Sequence, residues 1–260
     1  MAVNKDDKFL DDAINSILYQ TFADFEFIIV ANNCEDVFFE KLLSYKEKDR
    51  RIHLYRTSIA QLPYNLNYGI DKSIGKYIVR MDADDISEKE RFEKQVSFLD
   101  THPEVDVLGS NFVRIDENDK IIPSSYVFYE THHDIQRKMR YKCCVCHPTV
   151  IFRKEKVLKV GGYAYGFTAE DYDLWLRMLD QSFIFHNMNE KLLRYRTHQN
   201  SATGSKKNLK RNIAYSTSLL FRKFVETKDV GYIVGMFIAS GLGIRLVKLR
   251  GRFLRLFSHR

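Results

Sequence analysis

Three acids crowd the end of a β-type apolar run: Tyr77-Ile78-Val79-Arg80-Met81-Asp82-Ala83-Asp84-Asp85. Carboxylates set this close repel one another, and a hard divalent cation that neutralises them and bridges to phosphate oxygens accounts for the spacing better than stability does. The competing reading is an acidic cap for the next helix, a position Asp favours. The helical apolar spacing of residues 91–99 places the acids at a strand-to-helix crossover, where open α/β sheets bind ligands. Arg80, just before the acids, reads as their internal counter-ion. A second acid pair, Glu170-Asp171, opens an amphipathic run that contains Leu174, Trp175, Leu176 and Met178. One carboxylate suffices there as general base toward an incoming hydroxyl, although a helix N-terminus also favours acids through its dipole. Trp175, the sole tryptophan, is expected in the core of that helix rather than as a sugar platform.

The elements needed to hold these groups follow from length and pattern. A chain of 260 residues fits one compact α/β domain with a sizeable core, followed by a tail. The architecture expected is a mixed, mainly parallel sheet with helices on both faces. We divide it into a domain over 1–204, with a nucleotide-binding half to about 103 and an acceptor half from about 104, and a basic helical tail over 205–260. Thirteen Lys or Arg face two acids from Ser205 onward, so the net +7 of the chain resides in the tail and the rest is mildly acidic.

The tail alternates basic residues with apolar runs. Its uninterrupted apolar stretch, 230–239, is shorter than the ~20 residues that span a bilayer. An interfacial anchor is expected instead, with Arg250-Gly251-Arg252-Phe253-Leu254-Arg255-Leu256-Phe257 lying on an anionic leaflet. A helical pair packed on the domain, or on a partner in a homodimer, is the competing reading. Nucleic acid is not an expected partner, because no recognition motif accompanies the charge. Residues 1–8 are polar and lack the apolar core of a secretory signal, so the expected location is cytoplasmic and peripheral, on the inner face of the cell membrane. Cys143-Cys144-Val145-Cys146-His147 gathers four zinc-type ligands, yet neighbours on a strand point to opposite faces and no second ligand pair follows. Reduced, buried thiols are expected there.

Several segments, in order, resemble glycosyltransferase family 2, the inverting nucleotide-sugar enzymes of GT-A fold. Residues 13–22, ending in Gln20-Thr21-Phe22, resemble its first helix, and 24–30 its second strand. Residues 66–70 and 75–78 resemble the helix and strand that lead into the family's Asp-x-Asp motif. Gly161-Gly162-Tyr163 and residues 169–177 resemble its acceptor-site half. The resemblance covers about residues 1–203. It implies Asp84, Asp82 and His198 toward Mn²⁺ or Mg²⁺, and Ala2, Asn32, Asp82 and Arg196 toward the nucleotide. Asp171 matches the catalytic base, while Glu170 and His147 match groups that orient the base or touch the acceptor.

Two departures stand out. The family's opening strand, which precedes a segment such as Met1-Ala2-Val3-Asn4, is expected to be absent, so that either the true start lies upstream or the protein is impaired. Where the family has paired Asp, this chain has Ala31-Asn32. An amide still accepts from an imide N–H, and Asn-Asn is also an ordinary turn. The activity implied is inverting transfer of a hexose or N-acetylhexosamine from a nucleotide diphosphate sugar, UDP-linked by expectation, to a glycan or lipid-linked glycan in surface polysaccharide assembly. A membrane-associated scaffold is one alternative. A nucleotidyltransferase is another, though it lacks the Gly-rich phosphate loop.

Overall fold

The structure, a computed structural model, describes residues 1–240 and 243 other than 125, 127, 128, 165, 167 and 199–205. The first half runs β1 (Ala2–Val3), α1 (Leu10–Leu18), β2 (Phe27–Asn32), α2 (Asp36–Lys48), β3 (Ile52–Thr57), α3 (Leu62–Lys72), β4 (Tyr77–Val79), β5 (Ile86–Ser87) and α4 (Arg91–Thr101). The second continues with β6 (Val105–Ile115), α5 (His132–Met139), a 3₁₀ turn (His147–Thr149), β7 (Ile151–Arg153), α6 (Lys154–Lys159), α7 (Glu170–Asp180) and β8 (Ile184–Arg196). Two further helices follow, α8 (Lys206–Thr227) and α9 (Gly231–Ala239).

The mixed α/β architecture is as expected, but the strands divide into two sheets. β1, β2 and β3 form a parallel sheet in that order; the other has the order β4-β7-β6-β8-β5. There β4, β6 and β8 run one way, and β7 and β5 run against them. A cavity of about 670 Å³, lined by Ile28, Leu66, Ile70, Ile78 and Phe152 among others, lies between β2 and β4. A two-residue strand lies within residues 1–4 themselves, the segment before which the family's opening strand is placed. Ala2 and Val3 pair in parallel with Val30 and Ala31, and the Val30 amide donates to the Met1 carbonyl at 2.9 Å. Two residues suffice for a strand here because β2 is apolar along nearly its whole length and covered on both faces.

Helix α1 buries Leu10, Ala13, Ile14 and Ile17, the i, i+3, i+4, i+7 stripe of an amphipathic helix. Gln20 beyond it is a buried bracket: its amide nitrogen donates to Ser16 O and Glu88 O, and its oxygen accepts from Phe92 N at 3.0 Å. It therefore fixes the end of α1 against both flanks of the β5–α4 connection. Trp175 is fully buried, edge-on to Phe152 and Phe185, as expected of a core residue.

α8 is fastened to this body. Leu219 and Leu220 enter the core, Arg222 donates to the fully buried Asp173 of α7 at 2.6 Å, and Lys223 binds Asp180. No helix among the described residues is long and apolar enough to cross a membrane. The expected interfacial segment at 250–257 lies outside the described residues.

Candidate active site

The acidic run leaves β4 and is held from both sides. Arg91, fully buried on α4, donates to the Arg80 carbonyl at 3.0 Å, and the Arg80 amide donates to Val150 O. Asp82, Asp84 and Asp85 each present an oxygen within 4.8 Å of the others. Asp85 is buried: Oδ1 accepts from the Arg196 amide at 2.8 Å, whereas Oδ2 has no hydrogen-bond partner. Burial first, then the charges of Asp82 and Asp84, push the Asp85 carboxyl well above its usual range. Asp84 is raised by burial and by Asp82, and His198 opposes this with Nε2 at 3.1 Å from Asp84 Oδ2. A compact, oxygen-only, mutually repelling donor set with an orphaned buried oxygen fits a hard divalent cation.

Arg80 is the local counter-charge. Its guanidinium, almost wholly buried, forms an ion pair with Asp82. Burial works against the charge, but the Asp82 carboxylate more than offsets it and raises the Arg80 pKa. The same charge acts on the second acid pair, where it lowers both Glu170 and Asp171. Arg80 thus lies electrostatically between two carboxylate groups that are about 90 residues apart in sequence.

That second pair sits in the first turn of α7. Ala169 enters the helix at φ 61°, a left-handed conformation that costs a non-glycine residue about 1 kcal/mol or more. The Asp171 carboxylate accepts from the Tyr172 amide at 2.8 Å, and burial raises its pKa. Glu170 is pushed up to about 7, by burial first and then by the Asp171 charge. His147 lies alongside, with Nδ1 3.8 Å from Glu170 Oε1 and Nε2 sharing a 2.7 Å hydrogen bond with the Tyr163 hydroxyl. Burial, with Arg80 adding to it, holds the His147 pKa well below the usual value, so the ring is neutral at pH 7.

Tyr163 owes its position to the glycines before it. Gly161 and Gly162 adopt φ of 79° and 69°, and a Cβ on Gly162 would lie 2.4 Å from Asn67 Oδ1. Asn67 on α3 closes a double hydrogen bond with the Tyr163 backbone, 2.8 Å each way. Arg177 of α7 donates to the carbonyls of Val160 and Gly162. The two halves of the chain are joined at this clamp.

The structure therefore gathers Asp82, Asp84, Asp85, His198 and Arg196 in one group, and Glu170, Asp171 and His147 in another. Arg196 is fully buried and its donors are largely engaged: Nε with Asp84 O at 2.8 Å, Nη1 with Asp116 O and with Asp119 at 2.6 Å. Only Nη2 is without a partner. Its guanidinium lies 4.2 Å from the centre of the Phe9 ring, which also packs against His198. Ala2 pairs with Val30, two residues before Asn32 on β2, and the Asn32 amide donates to Val3 O at 2.8 Å, so its oxygen is the atom left for a ligand. The cysteine-histidine run forms no metal-type cluster among the described residues, where the three Asp are the one such group. Sequence reasoning passed over Phe9, Asn67 and the hydroxyl of Tyr163. A signal existed for the last, since adjacent glycines announce a turn that aims the next side chain.

Comparison with known proteins identifies the fold and the family. In solved structures the fold matches S. aureus TarS in complex with UDP-GlcNAc, with a TM-score of 0.68 at 16% identity over 86% of this chain and 65% of that one. It also matches the mannosyltransferase PcManGT from Pyrobaculum calidifontis in complex with GDP-Man and Mn²⁺, with a TM-score of 0.62 at 12% identity over 91% of this chain and 68% of that one. Among curated proteins, the O-antigen biosynthesis glycosyltransferase WbnJ of Escherichia coli is 40% identical over 79% of this chain and 81% of its own length. A UDP-Gal:alpha-D-GlcNAc-diphosphoundecaprenol beta-1,3-galactosyltransferase of the same species is 27% identical over 75% of this chain and 70% of its own. Residues 1–162 match the glycosyl transferase family 2 model, and with the two acid groups set on a GT-A fold this chain is a glycosyltransferase belonging to that family.

Proposed function

We propose that the protein transfers a hexose or N-acetylhexosamine, with inversion, from a UDP-linked donor to a lipid-linked glycan during surface polysaccharide assembly. The observation that carries this reading is the pairing of an oxygen-only cation cluster with a separate carboxylate pair, one member of which has its pKa raised to about 7. A divalent ion, Mn²⁺ or Mg²⁺, held by Asp84 and Asp82 with His198 at the rim, would supply charge stabilisation to the departing diphosphate. Ala2 and Asn32 border the base and ribose, and Arg196 braces the loop that carries Asp84 and Asp85 while keeping Nη2 for a phosphate oxygen.

Asp171 takes the proton of the acceptor hydroxyl, which becomes the nucleophile. Glu170, its pKa raised to about 7 by burial and by the Asp171 charge, lies beside the neutral His147 ring. The lipid-linked acceptor class is supported by the name of the E. coli galactosyltransferase relative. The division at 204/205 and a peripheral site on the inner face of the membrane, through the basic tail, belong to the same reading.

The test is a panel of nucleotide sugars, scored for Mn²⁺-dependent protection against thermal unfolding. A ligand at 100 times its dissociation constant adds about 2.7 kcal/mol. UDP-linked donors should protect, and Asp84→Ala should remove the metal-dependent part. Protection that is independent of metal, or confined to other nucleotides, refutes the assignment.

A further inference from the structure

We propose that the outward face of α9, together with the basic stretch 137–142 against which the helix rests, is the surface that docks on an anionic lipid bilayer. This deepens the membrane reading of the tail by naming the inserting element. Residues 230–239 are apolar on every side, and such a helix ordinarily lies in an interior. The inner side is accounted for: Gly235 is buried, and a Cβ there would lie 2.2 Å from the Arg140 carbonyl, so backbone meets backbone, with Tyr232 and Met236 packed on the core. The outer side is open. Val230, Ile233, Val234 and Phe237 are 64%, 40%, 47% and 49% exposed, and their i, i+3, i+4, i+7 spacing makes one continuous stripe.

Charge names the occupant. α9 rests on Arg140, which pairs with Asp229 as Arg137 pairs with Asp134, so Lys138 and Lys142 supply the net positive charge of this stretch. Beyond α9 the sequence adds Arg245, Lys248, Arg250, Arg252, Arg255 and Arg260 with no acid. An apolar stripe with a basic border matches hydrocarbon beneath anionic headgroups. A second copy of the chain docked on this face would bring its own Lys138 and Lys142 toward these across a two-fold axis, which opposes that pairing.

The experiment is co-sedimentation of the full chain with vesicles of phosphatidylcholine alone or mixed with phosphatidylglycerol, at low and high salt. Binding should require phosphatidylglycerol, weaken with salt, and fall roughly tenfold or more in the double variant Val234→Glu/Phe237→Glu. Lys138→Glu/Lys142→Glu, which leaves the apolar stripe intact, should lose about tenfold as well and serves if the first variant does not fold. UDP-dependent thermal protection should be unchanged in both, which separates this proposal from the transferase reading. The proposal is overturned if the wild-type chain does not sediment with anionic vesicles, or if either folded variant binds like wild type. It is equally overturned if Phe237→Glu dissolves a dimer seen by light scattering and leaves vesicle binding untouched.

Discussion

Glu170→Gln should make the ligand-free protein more stable in mild alkali while impairing it as a transferase. The folded protein holds the Glu170 proton up to about pH 7 against an ordinary 4.5, because burial and the Asp171 charge disfavour ionisation. A folded-state pKa raised in this way contributes stability that is complete below 4.5 and is lost as pH rises to about 7. At about 1.4 kcal/mol per tenfold, the ionised side chain costs the fold on the order of 3 kcal/mol at pH 8. Gln keeps the shape and cannot ionise. Urea unfolding at pH 8 should therefore find the variant more stable than wild type by up to that amount, with an unchanged m value, whereas at pH 4.5 the two should nearly coincide. Equal stability at both pH values, or a variant weaker at pH 8, would show that Glu170 is not held protonated by its surroundings.

Other substitutions separate the roles of neighbouring groups. Asp171→Asn preserves size at the start of α7 and should lower transfer by about 10²–10⁴ while Mn²⁺-dependent UDP binding survives, as measured by calorimetry beside a rate assay. Gly162→Ala meets both a φ of 69° and the Asn67 oxygen at 2.4 Å, and should cost about 1–3 kcal/mol in denaturant melts. Asp173→Asn removes the fully buried negative charge and one of the two acceptor oxygens that serve Arg177 and Arg222, and should destabilise by about 3 kcal/mol and release α8 to limited proteolysis sooner than the rest of the chain.

The legible parts of this molecule were those with a local cause. The apolar spacing of α4 and the acidic run after β4 follow from neighbours in sequence, and the structure has a helix and a carboxylate cluster there. The division of the strands into two sheets was not legible, since it depends on pairings between segments up to about 100 residues apart, such as Ile86 with Arg194. Arg196 shows the same limit: its sequence context offers a free cation at a strand end, whereas Asp116 and Asp119 reach it from a distant turn. The short β1 went unread because two residues carry no periodicity, and only the backbone of β2 defines them as a strand.

The attachment of α8 to α7 bears on how an acceptor would be presented. Asp173 and Asp180, the residues that grip Arg222 and Lys223, stand on the same rigid rod as Asp171. With a rise of about 1.5 Å per residue, that rod sets the Asp171 carboxylate roughly 13 Å along its axis from the farther grip. With Asp171 as the proposed base and the tail as the proposed membrane contact, the two would be the ends of a ruler: the surface met by the tail would define the height at which a hydroxyl must be offered, and acceptors with longer or shorter stems would overshoot or fall below it.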